Sequence, residues 1–200
     1  MLDLILVLVG YLVGSISSAI VVCRAMRLGD PRQDGSGNPG ATNVLRMAGK
    51  VPAAATLVGD WLKGTLPVLL AWAVTADPVV AAASGLAAFF GHLFPVFFRF
   101  QGGKGVATGM GALLAWSPLA LLATAGTWLV IAAAFRYSSL AAIVAFAMAP
   151  IYTLWLTGSP VLTAAAAILT VAIVWRHRDN IVRLATGEEG RIDAGRHENG

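Results

Sequence analysis

Three polar stretches in this otherwise hydrophobic chain combine glycines, amides and cations in patterns typical of phosphate binding. The first is DGSGNPGATNVLR, residues 34–46, whose closely spaced glycines let backbone N–H groups converge on an anion. Hydroxyl and amide donors accompany the glycines at Ser36, Asn38, Thr42 and Asn43. A helix that begins near Thr42 would point its positive end at the loop, and Arg46, one turn later, can pair bidentately with a phosphate dianion. The stretch therefore favours an anion site over an ordinary flexible loop.

The second stretch is GHLFPVFFRFQGGKGVATG, residues 91–109. Glycines on both sides of Lys104, among them Gly102 and Gly103, would let the backbone approach a ligand while the ammonium group supplies a point charge. The competing interpretation is a lysine that snorkels to the membrane surface from a helix end. His92, on a segment rich in phenylalanine, fits a buried neutral imidazole bonded to the backbone or to a neighbouring helix as well as it fits a catalytic group.

The third stretch, WRHRDNIVR at residues 175–183, follows the last apolar segment. His177 and Asn180 are three residues apart and share one face if the helix continues through them. The three arginines of this stretch are expected only to anchor the helix at anionic headgroups. These arginines are Arg176, Arg178 and Arg183.

Two further places carry polar groups inside or beside apolar segments. Asp60 and Lys63 lie three residues apart within the second apolar stretch, where a structural ion pair is the expected arrangement. Charges inside a membrane are costly and often border functional sites, so this pair is also a candidate support for one. Ser139 follows the basic Arg136 at the predicted membrane surface, where its hydroxyl could reach a ligand.

The composition identifies an integral membrane protein. Of the 200 residues 58% are hydrophobic and 12% are charged, with a mean hydropathy of +0.76, whereas a soluble domain is roughly 25% charged. The net charge of +4 follows the membrane topology and forms no basic soluble domain, so nucleic acid is excluded as a partner. Three histidines and one cysteine without a Cys/His or acidic cluster predict no metal site. Cys23 is expected to be a reduced packing thiol.

The distribution of Lys and Arg predicts the number of membrane crossings. Apolar runs occupy residues 2–22, 52–74, 79–98, 106–135, 138–156 and 160–175. The run at 106–135 is too long for one upright helix, and two crossings with a turn near Ser117–Pro118 keep Arg136 on the same side as the other cations. We predict an all-α integral membrane protein with about seven transmembrane helices, several of them short or tilted. The alternative is five full spans and a re-entrant pair.

The same reasoning predicts the orientation and the extent of the domain. The N-terminus should lie outside and the C-terminus in the cytoplasm, because loops rich in Lys and Arg stay on the cytoplasmic side. A single transmembrane catalytic domain is expected over residues 1–185. Residues 186–200 are polar, glycine-rich and charged, which predicts a flexible tail.

In this order and at these spacings, the polar stretches resemble the bacterial acyl-phosphate:glycerol-3-phosphate acyltransferases, the PlsY family. The matching segments are GSGNPGATNVLR at 35–46, GDWLKG at 59–64, GHLFPVFFRFQGGKGVATG at 91–109 and HRDN at 177–180. The resemblance runs from about residue 2 to residue 188. It implies a multi-pass protein of the bacterial inner membrane, with its active site at the cytoplasmic face and with no metal or other cofactor. The implied reaction moves the acyl chain of a fatty acyl phosphate to the 1-hydroxyl of sn-glycerol 3-phosphate, giving 1-acylglycerol 3-phosphate (lysophosphatidic acid) and phosphate.

The resemblance also implies roles for individual residues. Glycerol 3-phosphate would be bound by Arg46, Lys104, His177 and Asn180, with Ser139 as a further candidate. The acyl-phosphate group would be held by Ser36, Gly37, Asn38, Thr42 and Asn43. The supporting residues would be Asp60, Lys63, His92, Gly102 and Gly103. The acyl chain would lie in a groove between apolar helices that is open to lipid, and the glycerol hydroxyl would attack directly with substrate phosphate as the base.

Two other functions fit parts of the pattern. A transporter or channel for a phosphorylated solute would explain anion-binding loops, but it predicts polar groups near the midplane and on both sides of the membrane. A scaffold for anionic lipid explains the arginines without explaining the clustered glycine, asparagine and serine donors. The chain has no HxxxxD pair, which acyl-CoA-dependent glycerolipid acyltransferases use as general base, so we expect little or no activity with acyl-CoA.

Overall fold

The computed structural model describes residues 1–192, and these form ten α-helices, one short 3-10 helix and no strand. In chain order the α-helices are α1 (Leu2–Gly14), α2 (Ser18–Ala25), α3 (Ala41–Ala48), α4 (Lys50–Thr75), α5 (Pro78–Leu93), α6 (Val106–Trp116), α7 (Pro118–Phe135), α8 (Ser138–Thr157), α9 (Pro160–Arg176) and α10 (Arg178–Thr186). The 3-10 helix, Val96–Phe98, follows α5. The all-α prediction is therefore confirmed.

Prolines and short polar side chains set where several helices begin. Pro78, Pro118 and Pro160 each occupy the start of a helix, where a missing N–H loses no hydrogen bond. The preceding residue in each case accepts a hydrogen bond from a backbone N–H of the first turn, and these capping residues are Asp77, Ser117 and Ser159. The turn predicted inside residues 106–135 is confirmed, because α6 ends at Trp116 and α7 begins at Pro118.

Among residues 1–192, four helical segments are long and apolar enough to cross a membrane: α4, α5 with the 3-10 helix, α7 and α8. Two bent pairs also qualify as broken spans, α1 with α2 at 45° and α9 with α10 at 56°. Helix α6 is apolar but has 11 residues, so it measures about 17 Å and cannot cross the roughly 30 Å hydrocarbon core alone. These six candidate spans and the short α6 correspond to the seven predicted segments, of which several are short.

The first apolar run, predicted to be continuous over residues 2–22, is interrupted at residues 15–17. The carbonyl of Ile16 lies in the break and accepts a hydrogen bond from Nζ of Lys63 at 2.8 Å. An ammonium group of α4 thus satisfies a backbone acceptor that the broken helix leaves without an intrahelical partner. The break coincides with one glycine and three serines, Gly14, Ser15, Ser17 and Ser18, which a hydropathy average over the whole apolar run does not resolve.

Glycines let the central helices pack closely. A Cβ on Gly14 of α1 would lie 2.0 Å from the carbonyl oxygen of Ala88 in α5, and one on Gly111 of α6 would lie 2.2 Å from that of Trp61 in α4. Small residues at such crossings are typical of helices that pack within a membrane. The core between these helices is filled by fully buried side chains, among them Phe89, Leu113, Phe146, Leu169 and Ile173. This packing holds the loops at one end of the bundle in fixed relative positions.

Candidate active site

The three polar stretches meet at one cavity of about 840 Å³. Part of its wall carries cations, amides and hydroxyls, namely Ser36, Asn38, Thr42, Arg46, Lys104, Ser139, His177, Asn180, Arg183 and Glu189. Another part is apolar and comes from α4, α6 and α7, with Ala53, Leu57, Trp61, Met110, Ala125, Trp128 and Leu129. The cavity therefore joins a polar end, suited to an anion, to an apolar groove.

A continuous hydrogen-bond network links Lys104, in the loop before α6, to the C-terminal region. Nζ of Lys104 donates to Oδ1 of Asn180, and Nδ2 of Asn180 donates to Oε1 of Glu189 at 2.6 Å. The hydroxyl of Ser139 donates to the same carboxylate oxygen at 2.6 Å, and Nε of Arg183 donates to Oε2 at 2.8 Å. Side chains from α8 and α10 thus converge on one carboxylate, and the donors that line the site are oriented before a ligand arrives.

Glu189 is a site residue that sequence reasoning missed. It belongs to the polar residues 186–200, for which a flexible tail is predicted, yet its side chain is 8% exposed. The neighbouring carbonyl of Gly190 lies 3.4 Å from a guanidinium nitrogen of Arg46. An acidic residue in a polar stretch gives no sequence signal that its side chain lies against the polar end of the cavity. Residues 193–200 of the predicted tail lie outside the described residues, and the domain boundary at 185 stays a prediction.

His177 lies at the junction of α9 and α10 and is 3% exposed. Its Nδ1 lies 2.8 Å from the carbonyl oxygen of Ile173, so in the neutral ring this nitrogen carries the proton. Nε2 is then an acceptor on a side chain that borders the cavity. His177 and Asn180 line the same cavity, as their spacing predicts, although the chain bends by 56° between α9 and α10.

The glycines before Lys104 let its loop pack tightly against α5. A Cβ on Gly103 would lie 2.2 Å from Nε2 of His92, and one on Gly102 would lie 2.0 Å from the carbonyl oxygen of His92. On its other side the loop contacts Arg176, whose Nε and Nη2 donate to the carbonyls of Gly103 and Gly102 at 3.1 and 2.9 Å. These glycines therefore let the loop pack closely against other parts of the protein, whereas the sequence predicted a close approach of the backbone to a ligand.

The expectation that the three arginines of α9 and α10 only anchor headgroups is wrong for two of them. Arg176 binds the loop before α6, and Arg183 pairs with Glu189 inside the cavity wall. Arg178 differs from both, because its side chain is 56% exposed and its guanidinium lies 5.1 Å from the centre of the Trp175 ring. Arg178 thus has the surface placement that an interfacial anchor requires.

The charges of the site influence each other. Burial lowers the pKa of Lys104 to about 8; the carboxylate of Glu189 opposes this shift and the positive charge of Arg183 adds to it. Burial raises the pKa of Glu189, but hydrogen bonds from Ser139, Asn180 and Arg183 outweigh it and hold that pKa below its ordinary value. Lys104 is therefore the cation of this wall whose charge changes within the pH range of an enzyme assay.

The loop before α3 is organised around the buried amide of Asn43. Its Oδ1 accepts from the N–H of Ser36 at 2.8 Å, and its Nδ2 donates to the carbonyls of Pro31 and Asp34 at 2.9 and 3.0 Å. Gly35 adopts a φ of 61°, and a Cβ on it would lie 2.3 Å from Oδ1 of Asn43. The amide of Asn43 thus shapes the loop, and its hydrogen-bonding groups are already engaged by the protein.

The other predicted donors of this loop are more accessible. Ser36, Thr42 and Arg46 are exposed and Asn38 is half-buried, and all four border the cavity. Gly37 is exposed beside them and adopts a φ of 67°. The helix predicted to begin near Thr42 is α3. The structure therefore brings this loop and Lys104 to the same cavity, as a shared phosphate-binding role requires.

Asp60 and Lys63 form the predicted ion pair, with Nζ of Lys63 2.8 Å from Oδ1 of Asp60. Nδ1 of His92 lies 3.6 Å from the same oxygen, and all three side chains are buried. Because His92 also contacts Gly103, this cluster connects α4 and α5 to the loop that carries Lys104. Within residues 1–192, no three His, Cys, Asp or Glu side chains lie together as a metal ion would require.

The chain is similar over nearly its whole length to known glycerol-3-phosphate acyltransferases. The family model described as Glycerol-3-phosphate acyltransferase matches residues 4–187. A glycerol-3-phosphate acyltransferase of Halorhodospira halophila is 83% identical over 192 residues, which are 96% of this chain and 98% of the relative. One of Thioalkalivibrio sulfidiphilus is 55% identical over 190 residues, 94% of this chain and 92% of the relative.

Two solved structures share the architecture. Both are crystal structures of PlsY, an integral membrane glycerol 3-phosphate acyltransferase. Its glycerol 3-phosphate form has a TM-score of 0.92 and 40% sequence identity, covering 96% of each chain. Its lysophosphatidic acid form has a TM-score of 0.89 and 41% identity, covering 97% of each chain. The likeness thus extends over nearly the whole chain, and the family match includes all three polar stretches.

Proposed function

Since the chain belongs to the glycerol-3-phosphate acyltransferase family, we propose that it transfers a fatty acyl group from an acyl phosphate to the 1-hydroxyl of sn-glycerol 3-phosphate. The products are 1-acylglycerol 3-phosphate (lysophosphatidic acid) and inorganic phosphate. The observation that carries this proposal is the cavity that joins a cationic, amide-rich end to an apolar groove. A reaction between a small phosphate ester and a fatty acyl phosphate needs these two environments side by side.

Glycerol 3-phosphate binds at the polar end of the cavity in this proposal. Lys104 provides the charge for the phosphate, and Arg46 adds a guanidinium fork at the edge of the same cavity. Asn180 has a second amide N–H besides the one that bonds Glu189, and this N–H serves as a donor to the phosphate. Ser139 gives its only proton to Glu189, so its oxygen, like Nε2 of His177, is an acceptor for a glycerol hydroxyl. Hydrogen bonds within the protein already hold these side chains, which supports a preorganised site whose side chains need little rearrangement when the substrate binds.

The acyl phosphate binds along the loop before α3, with its chain in the apolar groove. Accessible hydroxyl, amide and backbone donors for its phosphate group are those of Ser36, Gly37, Asn38 and Thr42. Asn43 acts indirectly, because its amide keeps the loop in shape. Apolar side chains that would contact the fatty chain are Leu57, Trp61, Met110, Trp128 and Leu129. The cluster of Asp60, Lys63 and His92 supports the loop of Gly102 and Gly103, because His92 packs against both glycines.

The chemistry needs no nucleophile from the protein. An acyl phosphate is a mixed anhydride, so the glycerol 1-hydroxyl can attack its acyl carbon directly. The bond from that carbon to the phosphate oxygen breaks, and the hydroxyl proton leaves with the phosphate. The protein holds the two substrates in reach of each other and stabilises the developing negative charge through Lys104 and Arg46.

The polar end of the bundle faces the cytoplasm of a bacterial inner membrane in this proposal. Segments rich in Lys and Arg border the same cavity, and such segments remain cytoplasmic. Single cysteines in a Cys23→Ala background test this with a membrane-impermeant maleimide on intact cells. Asp77→Cys should be labelled from outside and Ser36→Cys only after the cells are opened. External labelling of Ser36→Cys would contradict the orientation.

The activity is tested with purified protein in lipid nanodiscs, glycerol 3-phosphate and hexadecanoyl phosphate. We expect released phosphate and acylated product in equal amounts. Hexadecanoyl-CoA should give little or no product, because the chain lacks an HxxxxD pair. A Lys104→Ala protein purified in the same way controls for contaminating acyltransferases. Comparable turnover of both donors, or phosphate release without acylated product, would refute the proposed reaction.

A further inference from the structure

The guanidinium of Arg176 makes a two-point contact with the backbone next to Lys104. Its Nε donates to the carbonyl of Gly103 at 3.1 Å and its Nη2 donates to the carbonyl of Gly102 at 2.9 Å. One planar fork thus binds the carbonyls of two successive residues, which restrains the orientation of both peptide planes. Neither the family resemblance nor the predicted phosphate ligands assign a role to this arginine.

The loop that Arg176 binds has little regular structure of its own. Arg99 and Phe100 adopt φ angles of 55° and 59°, in the left-handed region that residues with a side chain rarely occupy. Two glycines then precede Lys104, and glycine has the largest conformational freedom to lose. The N–H of Gly103 binds the loop to α5, because it donates to the carbonyl of His92 at 3.2 Å. Arg176, at the end of α9, supplies a second restraint through its two hydrogen bonds.

Arg176 and Asn180 act on the same residue from one short segment. They are four residues apart, on either side of the bend between α9 and α10. Arg176 binds the backbone just before Lys104, and Oδ1 of Asn180 accepts from the tip of the Lys104 side chain. The segment at the end of α9 and the start of α10 therefore holds both the backbone just before Lys104 and the ammonium group at the end of its side chain.

We propose that Arg176 is a positioning residue for the reaction: it clamps the carbonyls of Gly102 and Gly103 so that the ammonium group of Lys104 points into the phosphate site. The inference rests on the proposed function for the identity of the anion, glycerol 3-phosphate. Without the clamp, Lys104 spends only part of its time in the productive direction. The apparent affinity for the substrate falls in proportion to that fraction, while bound substrate reacts at a similar rate.

Three variants separate the clamp from the charge. Arg176→Gln removes both, Arg176→Lys keeps the charge but has no fork, and Arg178→Gln removes a neighbouring arginine that is 56% exposed and lies over Trp175. We expect Arg176→Gln to raise the KM for glycerol 3-phosphate about tenfold, as when a site is competent about a tenth of the time, with kcat within about twofold. Arg176→Lys should recover part of the loss, and Arg178→Gln should match the wild type. An unchanged KM in Arg176→Gln would overturn the proposal.

The pH profile distinguishes a positioning role from a loss of stability. The charged groups that act on the Lys104 ammonium are Glu189, Arg183, Arg176 and Asp179. Removing the Arg176 charge and exposing the loop to water both raise the pKa of Lys104. The alkaline fall of kcat/KM should therefore move to higher pH in Arg176→Gln but not in Arg178→Gln. A lower kcat with the KM and the alkaline fall unchanged would indicate a damaged fold and would overturn the proposal.

Hydrogen–deuterium exchange tests the clamp without any reaction. The peptide that covers residues 101–105 should exchange faster in Arg176→Gln than in the wild type and in Arg178→Gln. Equal exchange in the three proteins would refute the clamp. A wild-type protein that shows the expected protection but releases no phosphate would refute the proposed function and leave the clamp standing.

Discussion

Replacing Lys104 by alanine is the most direct test of the site. The ammonium group lies in the polar end of the cavity, next to glycines that carry no charge. Of the two neighbouring cations, Arg183 has a carboxylate partner, and Arg46 lies at the exposed edge of the cavity with its own part in binding the phosphate. Arg183 pairs with Glu189 at 2.8 Å, and Arg46 lies 3.4 Å from the carbonyl of Gly190. The charge of Lys104 is therefore difficult to replace from nearby.

The size of the effect follows from the burial of this charge. Truncating one partner of a buried, hydrogen-bonded charge pair costs about 2–5 kcal/mol. Burial lowers the pKa of Lys104 to about 8, which indicates a partly desolvated ammonium and places the loss in the lower half of that range. A loss of about 2.7 kcal/mol corresponds to a hundredfold, and we expect kcat/KM for glycerol 3-phosphate to fall by about that factor.

The assay is phosphate release at equal concentrations of folded protein, with folding checked by size-exclusion chromatography and thermal unfolding. Lys104→Arg keeps a positive charge in a different shape and should recover part of the activity. Arg178→Ala loses an exposed cation on the same end of the bundle and should remain close to the wild type. Near-normal kcat/KM in Lys104→Ala, or an equal loss in Arg178→Ala, would refute the assignment of Lys104 to the phosphate.

Further predictions follow from the same contacts. In the wild type, kcat/KM for glycerol 3-phosphate should be flat between about pH 7 and pH 8, above the second pKa of the substrate phosphate at about 6, and fall at higher pH, because Lys104 then loses its proton. An identical alkaline fall in Lys104→Arg would contradict this cause. Glu189→Gln disrupts three hydrogen bonds to one carboxylate, so we expect lower activity and a free energy of unfolding reduced by about 1–3 kcal/mol, seen as a lower midpoint of thermal unfolding. Glu188→Gln, at an exposed neighbour, is the control and should change neither. Gly103→Ala places a Cβ 2.2 Å from a buried imidazole nitrogen, so the loop must shift at a cost of about 1–3 kcal/mol, and activity should drop by about 5- to 150-fold if that cost falls on the transition state. A Cβ on Gly126 in α7 meets open space, so Gly126→Ala should leave activity unchanged and raise the free energy of unfolding by about 0.5–1 kcal/mol. Equal behaviour of the two alanine variants would refute the packing argument.

Hydropathy, charge and short motifs were sufficient to predict the all-α membrane fold, the helix turn at Ser117 and the resemblance to the family. The reason is that each of these features is local. A helix in lipid pairs most of its backbone polar groups within its own segment, so a span appears as a mainly apolar run in the sequence. Proline and capping residues act within one turn of a helix, and the glycines and cations of the three polar stretches are neighbours along the chain.

The roles of individual side chains, in contrast, came from the packing of the helices. Arg176, Arg178 and Arg183 look alike along the chain, yet one clamps a loop, one faces outward and one pairs with Glu189. Their surroundings differ because α9 and α10 meet at 56° and place each side chain beside a different element. The hydrogen bond from Ser139 to Glu189 joins residues 50 positions apart. Such a contact leaves no periodic pattern in the chain, because it depends on how separate helices are placed against each other and not on spacing within one helix.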